Sequence, residues 1–383
     1  MTRRIGLALL AAAACVNLAA GVVLALRDPA RASDLQVTYD WCRDWLLAGR
    51  SLYTGPEAST DYPPNAIVML SPLALLPARW LVRVWTVSAV ALTPVLPWLV
   101  LRAASPRRDR AALAVPALLF LCWAAPRTLL QFSLLSMVLA CAALLLADRR
   151  WLASGVALGL ALGKPQLAAP IALWMLVTGR VRPLITAALV VAAGWLAYDA
   201  RIAESPLTTV AGYWRVLGSE YTGAAGLVGH TSLRGWARLA TADAAAADAI
   251  WIAMAVLLLA ALCLLAARDR SRALDQGGMA VPAMFCLWSL LATYHNGNNL
   301  ILMLPAFAFL WFHDAPRPPW RWVLIAALQA AMIYDVPVRL AGAGPVVAQA
   351  DRLVVITALA CVCALWSRLS ATPAAARAPQ SPR

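Results

Sequence analysis

The chain has 383 residues, 62% of them hydrophobic and 13% charged, with a mean hydropathy of +0.73. These values exclude a soluble globular domain, and apolar runs of about 15 to 25 residues between short polar clusters mark a helical membrane protein. The ten-residue alternation of an outer-membrane barrel is absent.

The balance of 32 Lys and Arg against 18 Asp and Glu leaves a net charge of +14, but its distribution argues against a nucleic-acid partner. Basic residues cluster in short breaks between apolar runs: Arg3/Arg4, Arg102/Arg107/Arg108/Arg110, Arg149/Arg150, Arg180/Arg182, Arg268/Arg270/Arg272, Arg317/Arg321 and Arg368/Arg377/Arg383. That pattern is expected of cytoplasmic loops. Twelve spans with both termini cytoplasmic satisfy every cluster: 5–26, 79–101, 111–126, 129–147, 151–163, 165–178, 184–199, 247–267, 278–294, 299–312, 321–336 and 353–369. The expected fold is an all-α polytopic bundle in a bacterial inner membrane, a single domain over 1–371 with a disordered tail over 372–383.

The first apolar run, 5–26, follows two arginines as a secretory signal would. It is too long for a signal h-region and lacks a convincing cleavage site, so it reads as an uncleaved helix. The segment from Arg27 to Pro64 then gathers six of the acidic residues: Asp28, Asp34, Asp40, Asp44, Glu57 and Asp61. Carboxylates concentrated in one long outer loop (27–78) point to chemistry there.

Within it, Ser33-x-x-Gln36 reads as a capping box opening a helix. Leu35, Tyr39, Cys42, Trp45 and Leu46 recur at helical spacing with Gln36, Asp40, Arg43 and Asp44 opposite, predicting an interfacial amphipathic helix anchored by Trp41 and Trp45. Gly49 is its stop signal. Tyr62-Pro63-Pro64 forces an extended turn before the apolar stretch 65–76, which is too short to span. Asp34 falls in the first turn, where the helix dipole favours a carboxylate and where a general base could take an acceptor proton. A plain helix-start aspartate fits the same position.

Further along, Arg127 lies in a break between spans, and Gln131 lies just inside the next one. Lys164 is the chain's single lysine. It sits beside Pro165, between the short segments 151–163 and 165–178, which suggest a buried or kinked hairpin. An ammonium among apolar runs faces a cavity or a partner, or snorkels to the interface. His230 lies in GHTSLRG, and His295 in TYHNGNN, a polar knot or a simple Asn-Gly turn.

Three histidines without a close pair, and no CxxC, give no metal site, and Asp40/Asp44 read as solvated carboxylates. Seven of the eight cysteines fall in apolar runs, leaving Cys42 without a disulfide partner in its loop. Without a GxxxxGK[ST] or GxGxxG loop to hold a nucleotide, a donor dissolved in the membrane becomes attractive.

These motifs resemble glycosyltransferase family 87, membrane enzymes of GT-C fold that use polyprenyl-phosphate mannose. The likeness runs through Asp34, Tyr39, LLAGRSLY (46–53), Tyr62-Pro63-Pro64, SPLALLP (71–77), Gln131-Phe132-Ser133, LGLALGKPQ (158–166) and TSLRG (231–235). The resemblance implies an inverting transfer to a hydroxyl of an envelope glycolipid or polysaccharide, without cofactor or metal. It implies Asp34 as base, with Lys164, His295 and Arg127 on the donor phosphate. Tyr39, Tyr62, Gln131, His230 and Asn299 are then expected at the substrates. Leu130 and His230 depart from the glycine and asparagine frequent in the family, which bears on acceptor and sugar identity. The rival class is a secondary transporter or lipid flippase, whose paired broken helices find little counterpart in these unequal outer loops.

Overall fold

The computed structural model describes residues 2–27, 33–54, 58, 60–104, 117–118, 130–222, 232–241, 243–267, 279–293, 297–312, 319–333 and 350–371, and every regular element among them is helical. The chain opens with α1 (Thr2–Arg27), α2 (Ser33–Leu46), α3 (Pro64–Leu70) with a 3-10 turn at Ser71–Leu75, and α4 (Ala78–Ala104). Next come α5 (Phe132–Leu146), α6 (Trp151–Ala161), α7 (Pro165–Val177), α8 (Val181–Ile202) and α9 (Pro206–Thr222). The remainder comprises α10 (Arg234–Ala240), α11 (Ala244–Ala267), α12 (Ala280–Ala292), a 3-10 segment at Gly297–Met303, α13 (Leu304–Phe312), α14 (Pro319–Ile333) and α15 (Ala350–Ala371).

Among the described residues four helices are long and apolar enough to cross a membrane: most of α1, then α4, α8 and α11. The other expected spans correspond to shorter apolar helices, while 111–126, apart from residues 117 and 118, and the tail 372–383 lie outside the described residues. Helices α6 and α7 have 11 and 13 residues. At the rise of an α-helix each is about 16–20 Å long, well short of a hydrocarbon core of about 30 Å. They form the hairpin that their short apolar runs suggest.

Burial separates the bundle into a centre and a lipid-facing rim. Nearly all of α12 and α13 is buried, as for helices that are apolar on every side. The outer faces of α1 and α11 are open, with Leu9, Val16, Leu257 and Leu264 exposed where hydrocarbon would cover them. Buried serines stitch the centre together. Ser136 donates to the Ala161 carbonyl (2.8 Å), Ser154 to Ala143 (2.7 Å) and Ser289 to Gln166 (2.8 Å). With little hydrophobic drive between helices in lipid, such bonds and close backbone packing hold them together.

Small residues set that packing along α6. A Cβ on Gly155 would lie 2.4 Å from the Thr186 Cβ, and one on Gly159 would lie 2.6 Å from that of Val190. One turn further, Gly163 abuts Ala66 of α3, and Gly194 of α8 faces Asn65 so closely that a Cβ there would come within 2.6 Å. Glycines therefore let α3 settle between α8 and the turn after α6.

The bundle also has an arginine end. Arg180 forms a two-pronged ion pair with Asp148 (2.7 and 2.8 Å) and lies over the Trp174 ring at 4.3 Å, tying the end of α7 to the end of α5. Arg321 is buried rather than solvated, because its guanidinium donates to the Leu310 and Trp311 carbonyls near the end of α13. The turn carrying Lys164 lies at the opposite end of the α6–α7 hairpin.

Candidate active site

The site is built on α2 and α3. The face of α2 predicted to be apolar is the face that packs: Leu35, Tyr39, Cys42 and Trp45 are buried, while Gln36, Asp40 and Arg43 are exposed. Burial pushes the Cys42 thiol up to about 12, so it behaves as a small apolar side chain. The partner of that face is protein. Trp45 stacks on Tyr198 of α8 at 5.7 Å and donates from its indole nitrogen to the Tyr198 carbonyl at 3.2 Å. Trp41 meets Tyr62 edge-on at 5.8 Å. The two tryptophans expected to set membrane depth thus dock the helix onto the bundle, since an indole satisfies its N–H best at a buried carbonyl.

At the other end of α2, Asp34 occupies the first turn and is exposed. Its Oδ2 accepts a hydrogen bond from Gln131 Nε2 at 2.5 Å. Asp34, Leu35 and Thr38 line a narrow cleft together with Tyr62, Leu70, Leu73, Trp85, Leu130 and Phe132. Beside Asp34, Tyr62 and Thr38, whose hydroxyl donates to the Asp34 carbonyl at 2.7 Å, its walls are apolar.

Lys164 lies near the cleft without lining it. It lies in the turn between α6 and α7, outside either helix, and is 7% exposed. Its ammonium donates to Ser133 Oγ at 2.7 Å, and Ser133 donates to Asn299 Oδ1 at 2.9 Å. It also lies 5.8 Å from the centre of the Tyr62 ring. Burial pushes the ammonium down to about 8, opposed by the negative charges of Asp61 and Asp34. Burial, and then the same two acids, push the Tyr62 phenol up, so it stays neutral. A buried cation and an exposed carboxylate therefore share one electrostatic environment, with Tyr62 and Phe132 between them.

Of the residues singled out from sequence, Asp34 and Tyr62 line this cleft, Gln131 bonds Asp34, and Lys164 and Asn299 meet at the buried Ser133 two residues further on. Tyr39 stands apart: it is buried, and its hydroxyl donates to the Leu76 carbonyl at 2.8 Å, holding the end of the 3-10 turn. Arg127, His230 and His295 lie outside the described residues. Asp61 and Ser133 were not singled out. Ser133 was visible within Gln131-Phe132-Ser133, yet a serine two residues into a helix carries no sign of the lysine it will meet.

A family model for glycosyltransferase family 87 matches residues 60–293, more than half of the chain. The chain belongs to glycosyltransferase family 87. No curated protein and no solved structure matches it. Membership makes this membrane protein a glycosyltransferase, with a sugar donor and an acceptor as substrates, and turns the balance against the transporter. The match takes in Tyr62, Gln131, Ser133 and Lys164 of this family 87 enzyme, whereas Asp34 and Tyr39 precede it.

Proposed function

We propose that this family 87 enzyme moves a sugar, taken as mannose, from a polyprenyl-phosphate donor to a hydroxyl of an envelope glycolipid or polysaccharide. The transfer takes place at the outer face of a bacterial inner membrane, on a GT-C-type bundle. The acceptor oxygen attacks the anomeric carbon, and its proton passes to Asp34 as general base. The bond between that carbon and the phosphate oxygen breaks with inversion, and the electron pair leaves on the lipid phosphate. Lys164 binds the negative charge of that leaving group, an interaction that strengthens as the bond breaks. Tyr62 offers a neutral donor beside it. On sequence grounds Arg127 and His295 serve the same phosphate, and His230 the sugar or the acceptor.

The observation that carries this reading is that one short element holds both groups: Gln131 bonds the Asp34 carboxylate and, two residues on, Ser133 bonds the Lys164 ammonium. A base and an anion-binding cation held apart by one short element match the two ends of an inverting displacement. The apolar cleft wall suits a lipid-linked donor better than a nucleotide.

The test is transfer from radiolabelled polyprenyl-phosphate mannose in membranes carrying wild type or Asp34→Asn, with folding checked by thermal unfolding in detergent. The variant is expected to fold and to lose about 10²–10⁴-fold in rate, the usual worth of a general base. Equal rates would remove Asp34 from the mechanism. Transfer from another lipid-linked sugar but not from this one would correct the sugar and leave the base intact.

A further inference from the structure

Gln131 has an unusual placement. It is the residue that precedes α5, with extended backbone (φ −117, ψ 139), and its side chain makes no capping bond to that helix. Ser, Thr, Asp and Asn are favoured there because their short side chains reach back to the first amides. Gln131 instead extends to Asp34, 97 residues away in sequence, on a different element. The bond is short, and the ionised partner makes it a charge-assisted one.

The element that carries it is pinned on both sides. Leu130 and Phe132 are buried in the cleft wall, 9% and 4% exposed, and Phe132 packs against Tyr62 with ring centres 5.8 Å apart. Ser133 is fully buried between Lys164 and Asn299. The amide of Gln131 therefore projects from a backbone that has little freedom to move. Holding Oδ2 of Asp34 fixes rotation about its Cβ–Cγ bond and hence the direction in which Oδ1 points. Asp34 is itself exposed and short, a side chain with several staggered rotamers open to it, and the Gln131 bond favours one of them.

We propose that Gln131 is a positioning residue that acts through Asp34, orienting the base toward the acceptor rather than contacting a substrate. The inference rests on the reading of Asp34 as base. Gln131-Phe132-Ser133 then works as a spacer: its first residue aims the base, its last aims the phosphate-binding lysine, and Phe132 fixes the distance between them. Misplacement of a reacting group by about 1 Å can cost 10²-fold, so the effect on rate should be large for a residue that touches no substrate.

The test is a double-mutant cycle on the full-length protein in membranes, using labelled polyprenyl-phosphate mannose and each variant's thermal unfolding as a folding control. Gln131→Ala should lower the rate at saturating donor by about 10–100-fold, with little change in the donor concentration giving half-maximal rate. In an Asp34→Ala background the same change should cost less than about 2-fold, because two residues acting as one unit are not additive. Combined with Lys164→Ala it should keep its full effect. Gln131→Glu, similar in size but setting one carboxylate against another, should lose at least as much as Gln131→Ala.

A substrate-contacting glutamine would instead raise the half-saturating concentration and stay costly without Asp34, and that outcome overturns the proposal. Wild-type rates for Gln131→Glu would overturn it too. If Asp34→Ala is inactive while Gln131→Ala is unimpaired, the positioning role fails and the base reading stands. If Asp34→Ala keeps the wild-type rate, both fall together.

Discussion

The two ends of α2 are held in different ways. At its C-terminal end the loop is tied down repeatedly. Trp45 stacks and bonds on Tyr198, Arg201 donates twice to the Leu46 carbonyl (3.1 and 2.9 Å), and the Leu52 amide donates to the Tyr198 hydroxyl at 2.8 Å. Ser51 and Thr54 both donate to Glu204 (3.1 and 2.6 Å), and Gly212 lies so close that a Cβ would meet the Tyr53 carbonyl at 2.4 Å. At the N-terminal end an exposed aspartate meets the Gln131 amide, and a buried lysine bonds Ser133 two residues away. The anchor spends many bonds on stability. The site keeps charges that an ordinary core would not tolerate, and redundancy at one end is what allows that economy at the other.

The comparison predicts that the two ends fail differently under mutation. Removing the cation should have a large effect, second only to loss of the base: Lys164→Met is expected to lower transfer by about 10²–10³-fold, the scale of losing one electrostatic donor to a transition state. Unfolding temperature should stay level or rise, because a desolvated charge has been removed. An unchanged rate would take Lys164 out of the chemistry.

The same lysine sets a pH limb. Its ammonium is pushed down to about 8 from an ordinary value of 10.5, so the free enzyme loses the charge as pH rises through about 8. The ratio kcat/KM should fall above that pH, and Lys164→Arg should move the limb upward. Stability runs the other way. Burial disfavours the charged form, so the folded state gains stability as pH rises from about 8 toward 10.5 and loses that gain on the way down. A flat alkaline profile would contradict the burial of this group.

An anchor change should show the opposite signature. Trp45→Ala removes a buried indole and its hydrogen bond, and about 3–5 kcal/mol of stability is expected to go with it. The folded fraction should keep its donor half-saturation. A Trp45→Ala protein with wild-type thermal stability but a collapsed rate would erase the distinction between the two ends. Glu204→Gln is the mildest case. It weakens two hydrogen bonds from neutral hydroxyls, at a cost of about 1 kcal/mol, with no change in the pH profile.

Much of α2 was legible before any coordinates. Leu35, Tyr39, Cys42 and Trp45 recur on one helical face, and that face is the buried one. Ser33 marks its start and Gly49, at φ +65, follows its end where a left-handed residue is required. The α6–α7 hairpin was legible because its apolar runs are too short to cross. What covers the buried face of α2 was not, since a tryptophan near a membrane boundary suits lipid headgroups and a neighbouring helix equally well. The burial of Arg321 was hidden for the same kind of reason: an arginine in a basic break between apolar runs gives no sign that two carbonyls of α13 will enclose it.

The sequence alone determined that this chain is a helical membrane protein of one glycosyltransferase family with six of its 18 acidic residues gathered between Arg27 and Pro64, because hydropathy and motif spacing are local properties. Only the tertiary structure decided that Gln131 meets Asp34, that Ser133 meets Lys164, and that Trp45 closes onto Tyr198 rather than facing lipid. Each of these pairs joins segments far apart in the chain. The glycine-lined approach of α6, α8 and α3 sets the packing around them, and a contact across helices leaves no period in the sequence from which it could be read.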